Sequence, residues 1–449
     1  MKHSKLIQGI PAFGAVLSGQ FLSMIGTGMT RFALTIWAWQ LTGQATALAL
    51  VGFFSFLPMM IVSPLAGALV DRWNRKITMM ISDLAAGLAT IAVFILFLLG
   101  QLELWHLFAA ASFTGIFEAF QFPAYRSSVT TMIPKQHFAR ATGLIQLAGY
   151  GSGILAPIAA AALIGQIGIG GIMMIDIVTF TFAVGVLFFV RIPQPARSVE
   201  GAQSQGSLWQ ESIFGFRYIF RHKGLLGLQT LLFSVNLVST IAVVLMPAML
   251  LARTGGSEII LGSVQAAIGI GGVAGGILFS IWGGPKRLIH GALLGMAAMM
   301  LFGVTGFGIS RALVPWIVTG ATMSLFGPML NGCLSGIWQR KVPADIQGKV
   351  FAIRRTIAEA GRPLAMLAAG PLADHLLEPA MTGTGTLARV FGPVVGTGPG
   401  AGMGLMFVFA GIIAAAVALT GYLFPLVRDI EVILPDQDVI IERSQSAGL

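Results

Sequence analysis

Charged residues and cysteine are both scarce in this chain. Only 10% of its 449 residues are Asp, Glu, Lys or Arg, whereas 56% are hydrophobic and the mean hydropathy is +0.85. So few charges cannot cover the surface of a water-soluble globule of this length, and lipid must therefore surround most of the chain. The single cysteine, Cys333, excludes a disulfide framework and a metal site built from several cysteines of the chain.

Catalytic and nucleotide-binding strings are missing as well. The sequence has neither an H-E-x-x-H zinc motif nor a G-x-x-x-x-G-K-[ST] phosphate loop, and no nucleophile-base constellation stands out. We therefore expect no enzyme activity, no cofactor and no metal. The net charge of +10 and the pI near 10.3 raise nucleic acid as an alternative partner, but that partner requires a basic patch on a soluble face.

Long apolar runs fill almost the whole sequence, and about 20 apolar residues cross the roughly 30 Å hydrocarbon core. The first run opens after Lys2 and Lys5 without a clear small-residue cleavage site, so we expect a retained helix and not a signal peptide. The predicted fold class is an all-α membrane protein with twelve transmembrane helices in two six-helix bundles. The predicted spans are approximately 13–39, 46–70, 78–99, 104–127, 141–165, 169–190, 225–251, 259–282, 288–309, 313–337, 350–376 and 402–426.

The positive residues indicate the orientation of these spans. Alternate connections, starting with the N-terminal segment, carry nearly all Lys and Arg, whereas the opposite face has only Arg253, Arg311 and Arg389. Because positive residues of short loops stay in the cytoplasm, we expect both termini there and residues 378–401 outside, which accounts for the basic pI without nucleic acid. The expected domains are an N-terminal bundle over 1–191, a cytoplasmic linker over 192–223, a C-terminal bundle over 224–427 and a cytoplasmic tail over 428–449.

The loop after the second span carries a recognisable motif. It reads GALVDRWNRK at 67–76 and resembles the G-x-L-x-D-R-x-x-R-K signature of the major facilitator superfamily. Further stretches, such as FQFPAYRSSV at 120–129 and MIDIVTF at 174–180, resemble the drug-efflux branch that includes macrolide and siderophore exporters. We expect the loop to act as a conformational gate, in which Asp71 interacts with the positive end of a neighbouring helix. The gating residues are Gly67, Asp71, Arg72, Arg75 and Lys76.

Two segments depart from the family pattern. In GSGILAPIAAA at 151–161, Ala156 stands where antiporter-type members have the glycine before the proline. The corresponding loop of the second half, GGPKRLIHG at 283–291, lacks the acid of the signature. The first departure weakens the expectation of antiport more than that of the fold.

Polar residues form stripes on two of the predicted helices. Gln20, Ser23, Thr27 and Arg31 are three or four residues apart, and so are Thr114, Glu118, Gln121 and Tyr125. In the superfamily that this sequence resembles, the first, fourth, seventh and tenth helices line a central cavity. The resemblance therefore implies these substrate-cavity candidates: Gln20, Ser23, Thr27, Arg31, Gln121, Tyr125, Asn236 and Asn331.

Ionisable residues within spans are costly and usually functional or paired. Glu118 lies near mid-depth with no opposite charge within one turn, so we expect it to be the proton-coupling residue, with Arg31 assisting in one state. Asp83 and Asp176 lie nearer helix ends, where local helix-terminal hydrogen bonding is the main expectation and substrate contact is the alternative. Glu359 and Arg362 are spaced to neutralise each other and form the alternative coupling pair.

The glycines of GIGGVAGG at 269–276 lie in an apolar helix without a preceding strand, so close helix packing is expected and not a dinucleotide site. Without an ATP-binding motif, the predicted function is proton-coupled efflux of a small amphipathic compound such as a drug, macrolide or siderophore by alternating access. We expect a multi-pass monomer of the bacterial inner membrane whose partners are this substrate, protons and membrane lipids. A facilitator or importer of the same fold, or a lipid-handling protein without solute efflux, are the alternatives.

Overall fold

The structure, a computed structural model, describes residues 7–193, 208–343, 346–382 and 385–434. These residues are almost entirely helical, and within them the one β-type contact is a bridge between Ile7 and Val190. Contacts divide the chain into two compact units. The first contains residues up to 205 together with 254–266, and the second contains 206–253 and the residues from 267 onward.

Five long helices build the first unit, and glycine or polar caps mark several of their ends. Gly43 caps the C-terminus of α1, and its φ of 61° is readily adopted only by glycine. Asn74 caps α3 by accepting a hydrogen bond from the Ile77 N–H at 3.3 Å. Gly168, with φ 66°, interrupts α5. The helices are α1 (Gly9–Thr42), α2 (Ala45–Arg72), α3 (Arg75–Leu98), α4 (Leu104–Met132) and α5 (Phe138–Phe189).

Small residues let α1 pack closely along α5. A Cβ placed on Gly28 would lie 2.7 Å from the Ala156 Cβ, so any larger residue at position 28 would clash. Ala156 is the residue at which the sequence departs from the antiporter-type glycine-proline motif. Its methyl group is accommodated because α1 offers a glycine opposite it.

Shorter helical pieces build the second unit, because turns and π-helical segments interrupt the apolar runs. The π-helical segments are Met299–Thr305 and Leu372–Leu377. The helices are α6 (Leu208–Arg221), α7 (Lys223–Val243), α8 (Met246–Arg253), α9 (Glu258–Trp282, whose first part belongs to the first unit), α10 (Leu288–Ala298), α11 (Gly306–Ile309), α12 (Leu313–Leu325), α13 (Gly327–Lys341), α14 (Gln347–Glu359), α15 (Arg362–Pro371), α16 (Glu378–Met381), α17 (Thr386–Val395), α18 (Ala401–Thr420), α19 (Pro425–Arg428) and α20 (Ile430–Ile433).

The glycine-rich stretch of α9 packs as expected. A Cβ on Gly271 would overlap the Ala321 carbonyl oxygen, and a Cβ on Gly275 would overlap the Leu325 carbonyl oxygen. Both carbonyls belong to α12. The prediction that these glycines serve close helix packing is confirmed at these two positions.

Arg253 and Glu378 organise the region where the second unit was expected to have a long external loop. The Arg253 guanidinium donates to the carbonyls of Ser310 and Val395 at 2.6 and 3.0 Å. Glu378 accepts from the N–H groups of Gly400 and Met403 at 3.0 and 2.8 Å and so caps α18. Burial raises the pKa of Glu378 above its ordinary value. Residues 378–401, which were expected to lie outside, contain α16 and α17.

The C-terminal segment packs back onto the second unit. We call residues 425–434, which contain α19 and α20, the tail segment. Lys341, only 1% exposed, donates from Nζ to the carbonyl oxygens of Glu431, at 2.7 Å, and Leu434. The Glu431 carboxylate accepts from the Ile289 N–H at 3.0 Å and so caps α10. The segment 283–291, which contains Ile289, is the one that lacks the acid of the signature motif.

Within the described residues, nine helices are long and apolar enough to cross a membrane. One of them covers 140–189 and is interrupted at Gly168, where the sequence predicts the boundary between two spans. The helices over 104–132 and from 347 are not among the nine. The all-α membrane fold is confirmed, and the count of twelve spans stays a prediction.

Candidate functional site

Arg31 on α1 and Glu118 on α4 form an ion pair. Their Nη2 and Oε1 atoms are 2.8 Å apart, and the two side chains are 64% and 36% exposed. The sequence suggested that Arg31 assists Glu118 but did not show whether the two side chains are in contact. The structure shows that they are. Glu118 is also more exposed than its place in the middle of a span indicated. Neither side chain is fully enclosed by protein, so the pair is not a fully buried ion pair.

A buried cluster joins Asp83 of α3 to two glutamines. Gln20 of α1 donates to Asp83 Oδ2 at 2.7 Å, and Gln121 of α4 donates to Asp83 Oδ1. Gln121 also donates to Gln20 Oε1 at 3.1 Å. Asp83 is 4% exposed and Gln20 is 6% exposed. The expectation that Asp83 makes helix-terminal hydrogen bonds is therefore wrong, because its carboxylate joins three helices.

Asp176 of α5 also joins helices through its carboxylate, here α1 and α3. Its carboxylate accepts from the Thr27 hydroxyl at 3.0 Å and from the Thr90 hydroxyl at 3.1 Å. Only 2% of Asp176 is exposed. Helix-terminal bonding was also the expectation for this residue and is again wrong. Thr27, a substrate-cavity candidate, thus donates its hydroxyl to this carboxylate. Ser23, a second candidate that lies four residues earlier on α1, is also buried.

The candidates of the second unit have mostly local partners. Asn236 of α7 donates to the Ala358 carbonyl of α14 at 3.0 Å. Asn331 is exposed and donates to the Gly327 carbonyl of its own helix at 3.1 Å. The expected ion pair between Glu359 and Arg362 is present, with 2.8 Å between Oε2 and Nη1.

Two polar residues of the second unit escaped the sequence reasoning. Gln229 of α7 is 1% exposed, and it donates to the Arg354 carbonyl at 2.9 Å while its Oε1 has no partner. The Arg354 guanidinium lies over the Trp338 ring at 5.3 Å from the centroid. The spacing of seven residues between Gln229 and Asn236 could have revealed that both lie on one face of α7.

The gating loop is described in part. Gly67, Asp71 and Arg72 lie on α2, but their side chains are outside the described part of the structure. Lys76 donates to the carbonyls of Phe188 and Val190 at 3.1 and 2.8 Å, at the end of α5. Arg75 donates to the Ser127 carbonyl at 2.6 Å. Lys76 therefore binds a helix C-terminus, where a cation is favoured.

A pocket of about 100 Å³ opens among α1, α4 and α5 within the first unit. Gln20 and Tyr125 lie in its wall together with apolar side chains. Among the residues that the structure describes, no three His, Cys, Asp or Glu side chains converge as metal ligands do.

Comparison with known proteins agrees with this architecture. The chain is 24% identical over 375 residues to macrolide efflux protein A of Streptococcus pyogenes, covering 81% of this chain and 90% of that protein. It is 25% identical over 370 residues to the multidrug efflux pump Tap of Mycolicibacterium fortuitum, covering 78% of this chain and 86% of the pump. A solved structure of the nucleoside transporter NupG matches the fold with a TM-score of 0.64 at 12% identity, covering 92% of this chain and 100% of NupG.

Long apolar helices with polar residues buried between them are the features expected of a membrane transporter. The predicted resemblance is confirmed by a family-level match over residues 16–366, which is more than half of the chain. The chain therefore belongs to the major facilitator superfamily.

Proposed function

We propose that this protein is a secondary active exporter that moves a small amphipathic compound, such as a drug, macrolide or siderophore, in exchange for protons. Efflux relatives that align over most of the chain support the direction of transport. Carboxylates within spans support proton exchange, because such groups commonly serve as proton relays in transporters. Alternating access through the two halves of the chain is the mechanism on which this family fold is based.

The Arg31–Glu118 pair carries this proposal. An ionised Glu118 holds Arg31 at 2.8 Å, whereas a protonated Glu118 loses most of that attraction. A cationic substrate group that binds a protonated Glu118 favours the carboxylate and so displaces the proton. Substrate capture and proton release by Glu118 are then linked, as antiport requires.

Glu118→Gln tests this link because it keeps the shape of the side chain and removes its titration. We expect inside-out membrane vesicles with the variant to lose uphill accumulation of a macrolide, while substrate binding and downhill exchange persist. Glu258→Gln is the matched control, since the Glu258 side chain makes no hydrogen bond or ion pair among the described residues. Uphill transport by Glu118→Gln with unchanged pH dependence would reject this role and make the Glu359–Arg362 pair the better candidate.

The direction of transport needs its own measurement. Cells that overproduce the protein should accumulate less macrolide or siderophore than cells with an empty vector. Net uptake would indicate an importer or facilitator of the same fold. Absence of solute flux from liposomes under every imposed gradient would indicate a lipid-handling role.

We place the protein in the bacterial inner membrane with both termini and the 192–223 linker in the cytoplasm, and 378–401 outside. The domain boundaries at 191, 223 and 427 belong to the same proposal. The distribution of Lys and Arg supports this topology. Single cysteines introduced into the linker should resist an impermeant reagent in intact cells, and labelling of the linker from outside would overturn the orientation.

A further inference from the structure

The α6 helix presents two different strips of side chains away from the second unit. On its inner side Ile219 is 0% exposed, and α6 packs against α14. Phe216 and Phe220, four residues apart, are 38% and 60% exposed. Arg217 and Arg221 are also four residues apart and exposed, and their positions adjoin those of the phenylalanines around the helix. An apolar strip therefore runs beside a basic strip.

The α6 helix leads directly into a candidate membrane span. It ends at Arg221, and the apolar span over 223–253, which contains α7, begins at Lys223. The last turn of α6 therefore lies at the boundary between lipid and water. Phenylalanines exposed at that boundary meet acyl chains, and adjoining arginines meet headgroups, as in amphipathic helices that lie on a bilayer.

Lys341 holds α6 and the tail segment at the same end of the second unit. Its carbonyl oxygen accepts from the Tyr218 hydroxyl at 3.3 Å, and its ammonium donates to the Glu431 carbonyl at 2.7 Å. The tail segment also reaches the start of α7, where a Cβ on Gly224 would lie 2.8 Å from the Leu426 carbonyl oxygen. Leu426 is itself 45% exposed, so the tail segment offers further apolar surface where α7 begins.

The basic strip has no acidic partner within the protein. Arg217, Arg221 and Lys223 make no hydrogen bond or ion pair with the residues that the structure describes. After Glu211, the next acidic residue of the sequence is Glu258. Near an anionic bilayer surface, each such cation strengthens the attraction about fivefold. The charge of this face thus complements negatively charged lipid.

We propose that the exposed face of α6 binds the headgroups of anionic phospholipid in the adjacent leaflet, with Phe216 and Phe220 at the acyl boundary. Guanidinium groups suit a lipid phosphate because they donate two parallel hydrogen bonds to it. Zwitterionic lipid covers the apolar strip equally well but carries no net negative charge. Binding of lipid to this face is independent of the transported compound and of proton coupling, so the efflux assays can fail while it holds.

Native mass spectrometry of the full chain, titrated in detergent with phosphatidylglycerol or phosphatidylcholine of equal chain length, tests the headgroup preference. We expect Arg217→Gln/Arg221→Gln to weaken phosphatidylglycerol binding about five- to 25-fold. Phosphatidylcholine binding should stay within twofold, which also shows that the variant is folded. The matched control is Arg340→Gln/Arg355→Gln, which removes two exposed cations from helices whose described side chains include no exposed large hydrophobic residue. The control should keep the preference for phosphatidylglycerol.

The apolar strip is tested separately. Phe216→Ser/Phe220→Ser should weaken the binding of both lipids, because it removes the contact with acyl chains. A nitroxide on Phe220→Cys, in a Cys333→Ala background and in lipid nanodiscs, should be more accessible to oxygen than to a water-soluble nickel complex. Greater accessibility to nickel would place this face in water and overturn the proposal. Unchanged phosphatidylglycerol binding by the Arg217 and Arg221 double variant, or an equal loss in its control, would overturn it as well.

Discussion

The buried lysine that holds the tail segment offers a sharp test of the packing in the second unit. In Lys341→Met the apolar stem of the side chain is kept, but the donor to the carbonyls of Glu431 and Leu434 is lost. Hydrogen bonds to a charged group contribute about 1.5–3 kcal/mol each. Two of them give about 3–6 kcal/mol, and relief of the buried charge offsets part of this sum. We expect docking of the tail segment to weaken by about 2–4 kcal/mol, or roughly 30- to 900-fold.

Limited trypsin digestion of the purified protein measures this docking, because cleavage after Arg428 requires the tail segment to open. Mass spectrometry of the truncated chain gives the rate. We expect Lys341→Met to raise the rate strongly, and Glu431→Gln to raise it less, since a glutamine still offers an oxygen to the Ile289 N–H. The control is Lys286→Met, at an exposed lysine. A Lys341→Met rate within twofold of the wild type would refute the reasoning.

Three further predictions concern gating, packing and pH. Asp71→Asn should lower turnover while substrate affinity persists, and loss of affinity with normal turnover would contradict a gating role. Gly271→Ala should lower the unfolding free energy by about 1–3 kcal/mol through overpacking against α12, as measured by thermal unfolding. Its control is Gly276→Ala, where the nearest atom to a new Cβ is 4.0 Å away. Because the pKa of Glu378 is raised in the folded protein, the native state binds its proton more tightly than the unfolded chain does. Stability from this group is therefore present at acidic pH and is lost as the pH rises through the raised pKa, and Glu378→Gln should remove that dependence of Tm on pH.

Local sequence patterns were sufficient for the helices and for contacts within one helix. Apolar runs predicted the spans because a helix in lipid must satisfy its own backbone and present apolar side chains. The break at Gly168 falls where the pattern predicted a boundary, and the Glu359–Arg362 pair follows from its spacing on one helix. The glycines at 271 and 275 were recognised as packing residues because no residue with a side chain lets two helix backbones approach so closely.

Contacts between helices were decided only by the tertiary structure. Arg31 and Glu118 are 87 positions apart, and Gln20 and Asp83 are 63 apart. Periodicity shows that each polar residue shares a face with its neighbours on the same helix, but it does not show which helix that face meets. Gln20 and Thr27 were therefore expected to line an open wall, whereas each binds a buried carboxylate.

The sequence by itself determined that the chain spans lipid repeatedly and which residues are too polar to face that lipid. The tertiary structure alone decided their partners, and with them the Asp83 cluster and the pocket beside it. The physical reason is that the transfer of a side chain into lipid depends on its own chemistry, whereas a hydrogen bond between helices depends on the relative rotation and depth of both.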